Sequence, residues 1–165
     1  MGAPEPGRRT CAVVGVLVLA VVVVVGGFWL FDDSRTASQA VAALPEQALR
    51  LQNAEGAVVE LTVRNASSLE RSHCAFNCVR EDVVQSTVLF SATPFAASAP
   101  ITVERLQVPI EMIFFCGAGE FLEMRRFEPG EKELYAPERG YRYHLEAKDG
   151  FSAEFGIAPG SSLLL

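Results

Sequence analysis

Ala12 to Phe31 reads AVVGVLVLAVVVVVGGFWLF, twenty residues without a charge. As a helix rising about 1.5 Å per residue, such a stretch covers the roughly 30 Å hydrocarbon core of a bilayer. It also exceeds the roughly 7–15 apolar residues usual in a secretory leader. Phe28, Trp29 and Phe31 gather at its far end, where aromatic rings favour the membrane–water interface. Arg8 and Arg9 precede it and Asp32 and Asp33 follow. By the positive-inside rule, residues 1–11 are a short cytoplasmic leader, residues 12–31 a transmembrane anchor, and the rest lies outside, periplasmic or extracellular. The competing expectation is a cleaved signal peptide and a secreted product. Ser38-Gln39-Ala40 and Ala40-Val41-Ala42 offer small-residue cleavage sites, near Ala40 or Ala42.

Beyond the anchor the pattern changes period. Residues 32–56, rich in Ala, Ser and Gln and broken by Pro45, read as a linker with a short helix at Glu46–Asn53. Residues 57–165 then form one extracytoplasmic domain, long enough for a single core. Val59-Glu60-Leu61-Thr62-Val63-Arg64 alternates apolar and polar positions, the mark of a half-buried strand. Thr87–Ala92 is a short apolar run, and Pro109–Cys116 reads as a strand buried on both faces. Gly117-Ala118-Gly119 turns into a strand at Glu120–Arg126. In the next strand, Tyr141, Tyr143, Leu145 and Ala147 oppose Arg142, His144, Glu146 and Lys148. Pro159-Gly160 introduces a last strand at Ser162–Leu165. Helix is expected at Ser67–Val79, capped by Ser67 or Ser68 with Glu70 in its first turn, and at Phe151–Phe155, ended by Gly156. The expected class is all-β with small helical insertions, an antiparallel sandwich or barrel.

Composition sharpens this picture. Half the chain is apolar and its formal charge is −6. Setting aside Glu5, Arg8 and Arg9, residues 32–165 keep 19 of the 20 acids and 12 of the 14 bases, a balance of −7. Phosphate binding needs clustered cations, so nucleic acid is not an expected partner. Asn65-Ala66-Ser67 fits the glycosylation pattern, which matters only in a eukaryotic or viral setting.

The second half of the domain carries a resemblance. Pro109-Ile110-Glu111-Met112-Ile113-Phe114, Phe121–Arg126, Glu128-Pro129-Gly130-Glu131, Tyr143-His144-Leu145-Glu146-Ala147, Gly150-Phe151, Gly156-Ile157 and Pro159-Gly160 follow in order. This succession resembles the domain-of-unknown-function family 192 from Pro109 to the end. The first half resembles it only loosely, through Leu69-Glu70-Arg71 and Val88-Leu89-Phe90. Cys74-Ala75-Phe76 stands where the family has Gly-Leu-Met, and Thr102–Leu106 replaces its Trp-Met-Lys-Asn-Thr. The resemblance implies an extracytoplasmic, mostly β domain of unestablished activity, without the family's signature methionines and tryptophan.

Cys74 and Cys78 are four residues apart, on one face if helical, and Cys116 ends the buried strand. Three readings stand: buried free thiols, a disulfide from Cys116 to either helical cysteine, or a soft-metal site for Cu or Zn using Cys74, Cys78 and Cys116 or a histidine. The chain has two histidines, His73 and His144. Catalytic motifs are absent from the sequence: no Gly-x-Ser-x-Gly, no His-Glu-x-x-His and no phosphate-cradling loop. Glu123 and Glu146 read as solvated strand positions. Glu111, at the family's Asp position in an apolar strand, is expected to need a partner such as Arg105 or Arg125, as a structural ion pair or a ligand-facing patch. Arg125-Arg126 reads as solvated charge, and Phe95, Tyr135 and Tyr141 as core or rim. The expected function is a binding or accessory module rather than an enzyme, without cofactor, held to the membrane and meeting a protein partner at its surface. The alternative is a metal-binding or thiol-redox accessory protein.

Overall fold

The computed structural model describes residues 34–67, 75–97 and 100–165. The expected leader and anchor, His73, Cys74 and the side chain of Phe95 lie outside the described residues. Among those described, no helix is long and apolar enough to cross a membrane.

Among the described residues, the chain is mostly β with three short helices. Helix α1 occupies residues 34–42, followed by β1 (Glu46–Gln52), β2 (Val58–Asn65), α2 (Glu81–Ser86), β3 (Leu89–Ala97), β4 (Ile110–Phe115), β5 (Phe121–Phe127), β6 (Tyr141–Lys148), α3 (Phe151–Phe155) and β7 (Ser162–Leu163). The strands form one sheet in the order β5-β4-β6-β3-β2-β1-β7. It is mixed rather than antiparallel throughout. Arg64 and Asn65 of β2 pair in parallel with Leu89 and Phe90 of β3, because the long crossover between them brings the chain back in the same direction. The sheet curls into a half-barrel, and its two ends touch at a single bridge, Glu120 with Ser162.

Curling gives the sheet two different faces. Leu51, Val63, Phe90, Ile113, Phe115, Leu145, Ala147, Phe151 and Leu163 pack inside the curl. Ile110, Met112 and Phe114 point to the other side, where Val41, Phe76, Val84, Leu89, Val103 and Leu106 cover them. All six residues of β4 are therefore buried, as its apolar run, interrupted only by Glu111, predicts.

Three sequence expectations change. Residues 46–52 form a strand instead of a helix, with Leu49 and Leu51 buried and Ala48 and Arg50 exposed, because the edge of β2 is available to pair with it. The segment before it is no linker. Helix α1 buries Ser38 and Val41, and Leu44 just beyond it joins the same core. Within the described part of Ser67–Val79 there is a 3-10 turn, Ala75–Cys78; residues 68–74 of the expected helix lie outside the described residues, after Ser67. The Ser67 hydroxyl accepts the Ala92 amide, and its own amide donates to Asn65. Arg80 is extended, which separates the 3-10 turn from α2.

Candidate functional site

Glu111 lies on the inner side of β4, opposite Arg126 on β5 and Ala147 on β6. It is only 5% exposed. Its carboxylate accepts the Gly150 amide at 3.0 Å through Oε1 and the Ser152 amide at 2.7 Å through Oε2. Both donors belong to the turn that opens α3, whose first amides have no partner within the helix. The expected ion pair with Arg105 or Arg125 does not form. Arg125 projects from the opposite face and pairs with Glu131 at 3.3 Å, while the Arg105 amide donates to Asn77 Oδ1 at 2.7 Å. Backbone amides satisfy a buried carboxylate as a cation would, at no cost of desolvating a second charge.

The outer face carries a second set of polar groups. Cross-strand register aligns Glu123, Phe114, His144 and Ser91 in one row, and Arg125, Met112, Glu146 and Leu89 in the next. Glu146 is not solvated. It is 4% exposed, beneath the 3-10 turn, and accepts the Phe76 amide at 3.2 Å. Its other oxygen faces His144 Nε2 at 3.4 Å, a long contact. His144 Nδ1 is buried without a hydrogen-bond partner among the described residues, between the rings of Phe114 and Tyr141. Burial, and then the Glu146 charge, raise the Tyr141 phenol above its ordinary value. Tyr141 thus leaves the face of Tyr143, Leu145 and Ala147 and joins the outer core, where the β3–β6 register is irregular.

Glu123 is likewise engaged, accepting the Tyr135 hydroxyl. Burial and this carboxylate push the Tyr135 phenol upward. The Arg125 guanidinium stacks over Tyr135 and Phe127, 4.7 and 5.2 Å from their ring centres. Arg126 joins Asp149 at 2.7 Å, and its guanidinium holds the Asp149 carboxyl below its usual range; it also contacts Glu128. These arginines are therefore paired rather than merely solvated.

Cys78 is disulfide-bonded and Cys116 is a free thiol, so the expected bridge from the helical cysteines to Cys116 is not the one formed. In this oxidised state Cys78 offers no thiolate to a metal. Cys116 sits in the turn after β4, where its sulfur accepts the Ala118 amide at 3.3 Å and faces Glu120 Oε2 at 3.8 Å. Among the described residues, no three His, Cys, Asp or Glu side chains converge.

Where β5 and β7 meet, an open cleft of about 510 Å³ is lined by Ala118, Glu120, Phe121 and Gly160–Leu163. The Phe121 amide donates to Ser161 O at 2.9 Å, and the Leu163 amide to Gly119 O at 2.8 Å. Gly119 has φ +83°, and a Cβ there would stand 2.8 Å from Leu163 O. Turn signals at Gly117-Ala118-Gly119 and Pro159-Gly160 were visible in the sequence; that they flank one cleft was not.

No protein-family model matches the chain, and no curated relative does. Two solved structures share the fold. A Sinorhizobium meliloti 1021 protein described as a candidate transcription regulator is 18% identical, with a TM-score of 0.64, over 73% of this chain and 93% of its own. A Novosphingobium aromaticivorans DSM 12444 protein of unknown function is 14% identical, with a TM-score of 0.65, over 76% of this chain and 89% of its own. Likeness at this identity concerns the fold.

Proposed function

We propose that this chain is a single-span membrane protein presenting its β domain outside the membrane, where the domain acts by binding a protein partner rather than by catalysis. We read it as a divergent member of the domain-of-unknown-function family 192 and its curled sheet as an incompletely closed barrel. The Cys78 disulfide supports the exported placement, since such bonds persist in oxidising compartments. It agrees with the uncharged Ala12–Phe31 stretch and the charges flanking it.

The use of each carboxylate raised from the sequence supports binding over catalysis. Glu111 holds the α3 turn, Glu146 holds the Phe76 amide, and Glu123 holds Tyr135. Groups committed to holding the fold are poor candidates for proton transfer, which needs reach to a substrate. The cleft between β5 and β7 is the proposed partner surface. A photo-crosslinking residue at exposed Ala118 in the full-length protein tests this. A discrete protein adduct, lost when the cleft is blocked by Ser162→Trp, is expected. Crosslinking that is absent, or unchanged by Ser162→Trp, contradicts the reading.

A further inference from the structure

We infer that the anchor is retained and that the α1 end of the domain is a membrane-facing surface, held against the lipid with no intervening linker. This inference rests on the exported, anchored reading above. Residues 34–42 are built into the domain. The Ser38 hydroxyl donates to Ser34 O at 2.7 Å and accepts the Arg80 amide at 3.0 Å, tying α1 to the segment that starts α2. Val41 is 3% exposed in the outer core, and Ala37 packs beside it. The folded domain therefore already includes Ser34, while the uncharged stretch ends at Phe31. Three residue steps span at most about 11 Å even when fully extended. A domain on so short a tether stays beside the headgroups.

Both small-residue cleavage sites fall inside this helix. Cutting after Ala40 removes Ser38 and exposes Val41 at a chain end; cutting after Ala42 removes both. Either product loses the acceptor for the Arg80 amide and part of the outer core. Charge does not supply the attachment, because Asp32 and Asp33 adjoin the span and the exported part is acidic overall. The covalent tether alone sets the distance. The surface that α1 faces is thus lipid of any headgroup composition, not an anionic one selected by a basic patch.

The test uses the full-length chain in phosphatidylcholine vesicles, with a fluorophore on Arg35→Cys, an exposed position on α1. Short-range quenching by nitroxide-labelled lipid is expected to be strong and insensitive to salt. Insertion of a 20-residue Gly/Ser spacer between Asp33 and Ser34, which leaves the described contacts of α1 in sequence, is expected to abolish most of it. Intact mass of the chain recovered from cells is expected to include residues 12–31. Equal quenching with and without the spacer, or a mature chain starting at Val41 or Ala43, overturns the inference. A domain found on the cytoplasmic side overturns the exported reading itself, so the two failures are distinguishable.

Discussion

Replacing Glu111 tests how a buried carboxylate organises the end of the half-barrel. In Glu111→Ala, the Gly150 and Ser152 amides lose their acceptors, and both lie in the turn that starts α3. A hydrogen bond to a charged group contributes about 1.5–3 kcal/mol, and a stranded buried donor costs about 1–3 kcal/mol. The Ser152 bond is buried, whereas the Gly150 bond is only partly so and recovers some hydration. The expected loss for Glu111→Ala is therefore about 3–4 kcal/mol, below the simple sum. Glu111→Gln keeps one carbonyl acceptor and turns an NH₂ group toward the other amide, a loss of about 2 kcal/mol. At about 4 °C per kcal/mol for a domain of this size, the midpoints fall by roughly 14 °C and 8 °C. Thermal unfolding of the full chain in detergent, followed by near-ultraviolet circular dichroism, reads these shifts. Hydrogen exchange should show the loss of protection first at Gly150 and Ser152. Glu154→Gln, which removes only the exposed pair with Lys148, is the control. A Glu111→Gln loss below about 0.5 kcal/mol, with both amides still protected, refutes the reasoning.

Three further outcomes follow from the same geometry. Glu146→Leu strands the Phe76 amide and should cost about 2 kcal/mol, with limited proteolysis near residues 75–80 increasing before global unfolding. Gly119→Ala forces a Cβ against Leu163 O at a positive φ and should cost about 1–3 kcal/mol, with faster exchange of the Phe121 and Leu163 amides; unchanged exchange would contradict the seam as described. Asp149 and Glu131 both have lowered folded values, so their contribution is complete above their ordinary range near pH 4 and disappears as the pH falls through the depressed values. Asp149 is exposed and Glu131 only partly buried, so this acid-side contribution should be small and should vanish in about 1 M salt; a salt-insensitive acid transition in Arg126→Ala and the unmodified chain alike would oppose it.

Strand positions were largely legible. The alternation of Val59 to Arg64 and the apolar run of Pro109 to Cys116 became β2 and β4, because period two has one meaning for a backbone with one covered face. Residues 46–52 misled through propensity: Glu, Gln, Ala, Leu and Arg all favour helix, yet Leu49 and Leu51 alternate as a strand does. Helix α1 was concealed by its small residues. Ser38, Val41 and Leu44 are spaced for one face, but Ala and Ser around them resemble a linker. At the candidate site, the need of Glu111 for a partner was legible and its partner was not. Gly150 and Ser152 lie 39 and 41 residues away, and no side-chain chemistry marks a backbone amide as a donor. The Glu146 site was missed for the same reason. A charged alternation reads as solvated until another segment, here Phe76, settles on it.

Cys116 reports the proposed placement of the domain outside the membrane most directly. This free thiol is half-buried in the turn after β4, beside Ala118 and Glu120. Intact cells expressing the full-length chain are treated with a membrane-impermeant maleimide. With the domain outside, the membrane-bound protein is expected to be labelled without permeabilisation, and Cys116→Ser to abolish the labelling. Labelling of Cys116 that appears only after the membrane is permeabilised would contradict that placement.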